Sequence, residues 1–146
     1  MIDYAREPVL EIPSDFLSMP ADEYASLFNV AAGWRSYLSE GLLQIKNEVA
    51  RIESSKSCIR AQLRQDATFS QREITKRDLE DEIVLDPSYQ KHCCDQLCKE
   101  EERRKLEASL EKVEVFLRGW SRVVEVRRQE LFMNPPTIAH RGSHAR

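Results

Sequence analysis

Residues 86–131 constrain the fold of this chain more than any other stretch. Asp86 is suited to cap a helix through its carboxylate, and Pro87 fits the first helical position, where no backbone N–H is needed. Beyond Pro87 no proline interrupts the stretch, and Gly119 is its only glycine. Leu106, Leu110, Val113, Leu117, Trp120, Val124 and Leu131 recur at steps of four and three, with Arg127 at the one step they miss. This is a heptad seam. The helix it implies is about 45 residues, or roughly 67 Å, long, and a helix of that length needs a packing partner along its course.

The partner is read earlier in the chain. A first long helix is expected from Pro20 to about Arg64, with Asp22 and Glu23 in its first turn, where carboxylates favour the helix dipole. Its seam is Ala31, Trp34, Leu38, Leu42, Ile45, Val49, Ile52, Lys56, Ile59 and Leu63. The bridge of residues 65–85 is too short to carry the chain back for a parallel pair, so the helices must form an antiparallel hairpin. Thr75 with Asp78 marks a short helix inside the bridge, with Ile74 placed to staple against Leu79. Setting Leu63 near Tyr89 pairs residues whose numbers add to roughly 152, given equal rise in both helices. Gly33 then meets Gly119, Trp34 approaches Trp120, and Cys58 falls near Cys93 and Cys94.

The expected fold is therefore all-α: a long antiparallel helical hairpin (20–131) with a short bridging helix, an irregular N-terminal arm (1–19) and a flexible C-terminal tail (132–146). The arm offers Val9, Leu10, Ile12, Phe16 and Leu17 for docking on a helix, and its acidic residues also suit recruitment of a partner. Asn134-Pro135-Pro136 ends the second helix. A hairpin leaves apolar residues outside the seam, among them Phe28, Val30, Tyr37 and Leu43. With Val115, Phe116, Val123 and Val126 as the preferred contact, these predict a homo-oligomer through coiled-coil-like faces.

Several classes of function are disfavoured. No apolar run approaches the roughly 18 residues of a membrane span, and MIDYAREPVLEIP lacks the pattern of a signal peptide, so a cytoplasmic protein is expected. Cys58, Cys93, Cys94 and Cys98 do not have the spacing of a secreted disulfide framework. With His92 they offer soft metal ligands, but adjacent helical cysteines diverge by about 100° and no CxxC pair is present. Buried thiols serving as small hydrophobes are the expectation, with zinc or a redox disulfide from Cys58 behind it. There is no glycine-rich phosphate loop, and the carboxylates of EEERRKLE sit among Lys and Arg at helical spacing, as on a solvated helix face. No enzyme, metal or cofactor is expected.

Charge carries the best functional signal. The net charge is -3, yet residues 51–77 hold seven basic and three acidic residues, and residues 78–101 hold two basic and eight acidic. Lys56, Arg60 and Arg64 share a helical stripe, Arg72, Lys76 and Arg77 follow in the bridge, and Phe69 between them is suited to stack on a base. This predicts single-stranded nucleic-acid binding. The plainer reading is a charged helix face paired with Glu53 and Glu73.

The order of these features, with RIESSKSCIRAQLR ending the first helix, LEDEIVLDPSYQ at the turn and RVVEVRRQELF near the end of the second, resembles the phage recombination mediators of the UvsY type over roughly residues 24–131. The resemblance implies a ring-forming helical protein in the cytoplasm of the phage host. It would bind single-stranded DNA, contact the single-strand-binding protein and help load a RecA-like recombinase. The family's basic segment would fall on Lys56, Arg60 and Arg64. The alternative is a coiled-coil adaptor or assembly protein that acts through protein–protein contacts alone.

Overall fold

The computed structural model describes residues 6–15 and 18–133, with the backbone alone at Leu131. The expected docking of Phe16 and Leu17, the seam position of the Leu131 side chain and the tail from residue 134 lie outside the described residues. Among the described residues the fold is all-α, with three helices: α1 (Ala21–Phe69), α2 (Lys76–Leu85) and α3 (Pro87–Met133). No helix of the described residues is long and apolar enough to cross a membrane.

The helix boundaries follow from local chemistry. At the start of α1 the amide of Tyr24 donates to the carbonyl of Pro20 at 3.1 Å. The helix continues five residues past the expected end at Arg64, because nothing from residue 65 to 69 breaks it. It stops where Gln71 takes a φ of 49°, a left-handed conformation that glycine usually supplies at this point. The Ser70 hydroxyl, 2.7 Å from the Asp66 carbonyl, takes up one of the acceptors freed there. Thr75 caps α2 as expected, accepting from the Asp78 amide at 3.1 Å. Asp86 caps α3, with its carboxylate accepting from the Tyr89 amide at 2.9 Å.

The chain divides into two compact units, Met1–Trp34 with Lys112–Arg146, and Arg35–Glu111. In the second unit α3 runs antiparallel to α1. Lys99 pairs with Glu48 at 3.0 Å, Gln96 donates to Glu53 at 3.2 Å and accepts from Lys56 at 3.0 Å, and Arg60 donates to the Tyr89 hydroxyl at 2.9 Å. The numbers in these pairs add to about 147–152, so the expected register holds at Lys56–Gln96 and shifts by about one turn elsewhere. The shift has a simple origin: the Tyr89 hydroxyl meets Arg60, one turn before the Leu63 against which the register was set. Leu38, Val49 and Ile83, the last from α2, form the buried apolar positions of this unit with Tyr89. Every seam position of α1 in this unit is buried or half-buried, which is the outcome expected of a heptad stripe.

The first unit has its own core of Ala31, Phe116 and Trp120, against which Leu10, Met19, Tyr24, Leu27 and Leu117 pack. The Trp120 ring lies 4.4 Å from that of Tyr24 and 5.8 Å from that of Phe116, centroid to centroid. Three expectations are corrected here. Phe116 faces this core and is withdrawn from any contact between protomers, because its ring stacks on Trp120. A Cβ built on Gly119 would meet Ile12 Cδ1 at 3.1 Å rather than Gly33, so the missing side chain makes room for the N-terminal arm. Val124, a seam position, is 39% exposed rather than buried in the seam.

The arm docks through Leu10 and Ile12, while Val9 stays in solvent. It is further tied down by Arg127, which donates to the Met19 carbonyl at 2.9 Å and stands over the Tyr24 ring at 4.9 Å. Of the other residues expected on an oligomer face, Val115 (55%) and Val126 (45%) are exposed and Val123 is half-buried.

Candidate nucleic-acid interface

The basic stripe of α1 lies on the face that looks toward the beginning of α3 and toward α2, so its side chains are already engaged. Arg64 pairs with Glu80 of α2, and Arg72 pairs with Glu82 at 2.7 Å. The carboxylates that meet these arginines are on α2, not the Glu53 and Glu73 expected from proximity in sequence. The hydrogen bond from Arg64 is the main influence holding the Glu80 carboxyl below its ordinary pKa, with the charges of Arg64, Arg60 and Lys76 adding to it. The opposed charges of residues 51–77 and 78–101 are thus partly answered within the molecule. Both pairs remain half open to water, and such pairs contribute roughly 0–1 kcal/mol.

Lys56 and Arg60 differ from Arg64 and Arg72: neither forms an ion pair with a carboxylate among the described residues, and their neighbour is an aromatic ring.

 Lys56 Nζ stands 5.3 Å and the Arg60 guanidinium 5.6 Å from the centroid of Tyr89, which is buried beneath them. Lys56 also donates to Gln96 and Arg60 to the Tyr89 hydroxyl. Glu53, Lys56, Ser57, Arg60, Tyr89 and Gln96 line a cleft of about 290 Å³. Asp86 and Pro87 position this site, since Tyr89 lies in the first turn of the helix they start.

The remaining expected residues lie beyond this cluster, Phe69 being nine residues past Arg60, about 13 Å along α1 and half a rotation away. Phe69, the last residue of α1, is 77% exposed, with its ring free of any core. Lys76 and Arg77 are exposed in the first turn of α2. Tyr89 and Gln96 were missed by the reading of the sequence, which sought cations and overlooked what would orient them. The signal was present in DPSYQ, because a tyrosine three residues after a capping aspartate occupies a fixed place at a helix start.

The cysteines depart from expectation. Cys58, Cys94 and Cys98 are exposed and Cys93 is half-buried, and all four are free thiols rather than core residues. The reason is angular: Cys94 and Cys98 share the face that carries exposed Leu97, away from α1. His92 Nδ1 lies 2.7 Å from the Ser88 carbonyl of its own helix. Among the described residues no group of three His, Cys, Asp or Glu side chains converges to hold a metal ion.

Seen as chemistry, the arrangement offers positive charge and N–H donors on an aromatic support. It suits contact with phosphates and bases. No protein-family model, curated protein or solved structure matches this chain.

Proposed function

We propose that this protein is a non-enzymatic single-stranded-DNA-binding recombination mediator that helps load a RecA-like recombinase onto DNA. The observation that carries the reading is the pair of cations, Lys56 and Arg60, held over Tyr89 at the edge of an open cleft. Phosphate contact needs positive side chains at helical spacing and no base-specific geometry. Arg64 and Arg72 extend the path, because half-exposed ion pairs exchange a carboxylate for a phosphate at small cost. Phe69, Lys76 and Arg77 continue it, with Phe69 offering a stacking surface. The resemblance to the UvsY-type mediators supplies the recombinase and the single-strand-binding protein as partners. A homo-oligomer, a ring in that family, would repeat this modest patch and multiply weak contacts along one strand.

The test is replacement of Arg60 and Arg64 by Ala, followed by titration of a labelled oligo-dT. Binding should weaken and its salt dependence should flatten while helix content by circular dichroism is retained. Unchanged binding removes these residues from the interface. A recombinase-loading assay on DNA covered by single-strand-binding protein then tests the mediator step.

A second reading is favoured by a specific observation. Phe132 and Met133 are 87% and 79% exposed, and with Glu125, Arg128 and Gln129 they line an open cleft of about 710 Å³. Exposed apolar surface of this kind suits an adaptor or assembly protein acting through protein–protein contacts. Salt-insensitive self-association without DNA affinity selects that reading.

A further inference from the structure

We infer that the cleft lined by Lys56, Ser57, Arg60 and Tyr89 is a seat for a single phosphate group, with Tyr89 as the residue that positions both cations. The inference deepens the single-stranded DNA reading and rests on it for the source of the phosphate.

The argument is a surplus of donors. Lys56 carries three N–H donors, and Gln96 Oε1 takes one of them at 3.0 Å. Arg60 gives Nη2 to the Tyr89 hydroxyl at 2.9 Å, while its Nε–H is buried and meets no acceptor among the described residues. The Tyr89 hydroxyl accepts from Arg60 and so keeps its own proton for another acceptor. The carboxylate that lines the cleft, Glu53, takes a hydrogen bond from Gln96 Nε2 at 3.2 Å. The Nε–H is shielded from solvent and reports on the guanidinium; what would answer the remaining donors of Lys56, the Arg60 Nη atoms and the Tyr89 hydroxyl is a compact anion with several acceptor oxygens in different directions. A phosphate has that geometry, and its bonds to guanidinium and ammonium are charge-assisted.

Tyr89 gives the seat its shape. Its ring lies under Lys56 at 5.3 Å and under Arg60 at 5.6 Å, and its hydroxyl fixes the guanidinium plane. Its own backbone is pinned by the bond from its amide to Asp86 at 2.9 Å. Two flexible cationic side chains are thereby held in place before a ligand arrives, which lowers the entropy lost on binding. This separates Lys56 and Arg60 from Lys76 and Arg77, which are exposed on α2.

The experiment is ¹⁵N NMR of the full chain, following the Arg60 Nε–H resonance during titration with inorganic phosphate at constant ionic strength, and separately with an oligo-dT whose binding is read by anisotropy. The expected result is a saturable shift of Arg60 Nε–H with both probes. Tyr89→Phe, which keeps the ring and removes the hydroxyl, should weaken phosphate binding by about threefold to tenfold, the value of one hydrogen bond. Tyr89→Leu should abolish the Arg60 shift.

An oligo-dT that binds without moving Arg60 Nε–H overturns the seat and leaves the DNA reading in place. A phosphate-induced shift without oligo-dT binding upholds the seat and removes the DNA reading. A shift produced by an acidic peptide and not by phosphate overturns the assignment to phosphate.

Discussion

Neutralising Glu80 and Glu82 should strengthen DNA binding and steepen its salt dependence. In the native protein Lys56, Arg60, Lys76 and Arg77 make no close ion pair with a carboxylate among the described residues, whereas Arg64 and Arg72 are held by Glu80 and Glu82. When DNA displaces a carboxylate, the freed anion gathers a counterion, so a paired arginine adds little net counterion release. Single strands give a slope of about -0.7 per phosphate neutralised, so four cations predict about -2.8 per protomer and six predict about -4.2. Raising salt from about 50 to 200 mM would then weaken binding by roughly 50-fold in the native protein and roughly 340-fold in Glu80→Gln/Glu82→Gln. Glutamine keeps the volume of each side chain, and buried Ile83 still anchors α2. Anisotropy titrations across that range measure both slopes. Glu101→Gln/Glu107→Gln, which removes two carboxylates paired with Lys105 and Arg103 outside the path, is the control for net charge. Equal slopes in the native protein and Glu80→Gln/Glu82→Gln, with α2 still folded, would refute the assignment of Arg64 and Arg72 to the path.

Trp120→Ala removes a fully buried tryptophan from the core of the first unit, and a change of this kind costs about 3–5 kcal/mol. A urea midpoint shifted by the equivalent of less than about 1 kcal/mol would contradict the core described. Gln71→Gly relieves a left-handed residue and should stabilise the chain by about 0.5–1 kcal/mol in the same assay, with a loss of stability as the contrary result. Val126→Lys on the exposed face of α3 should shift the molar mass by light scattering toward the protomer if that face joins copies; an unchanged mass places the contact elsewhere. The folded pKa of Glu80 lies below its ordinary value of 4.5, so its pair with Arg64 stabilises above that value and is lost as pH falls through the lower one. Hydrogen-exchange protection of α2 should therefore fall slightly as pH drops below about 4.5, and less so in Arg64→Ala; an equal pH response in the two proteins would contradict it.

Much of the fold was legible because its signals are local. The seam of α1, the Thr75 cap of α2 and the Asp86–Pro87 start of α3 each follow from side-chain chemistry within a few residues. The end of α1 was misplaced because its stop is a backbone conformation at Gln71 that no glycine announces. Phe116 was assigned to an outer face because the heptad seam is narrower than the surface the arm and α1 cover.

For the candidate site, the cations were found and their surroundings were not. The partners of Arg64 and Arg72 lie across a turn on α2, and the support beneath Lys56 and Arg60 comes from α3. Such pairings depend on register to within one turn, and the register inferred from the hairpin alone carried an error of that size. The cysteines were misjudged for the same reason, since a one-turn offset and a 100° rotation decide whether a helical thiol is buried.

The most direct test of the central claim is titration of a labelled oligo-dT with the purified protein at low and physiological salt, with the molar mass measured alongside by light scattering. The account predicts saturable binding by a defined oligomer that weakens steeply as salt rises. A defined oligomer with no affinity for the strand at either salt would contradict the DNA-binding claim and leave the helical fold as described.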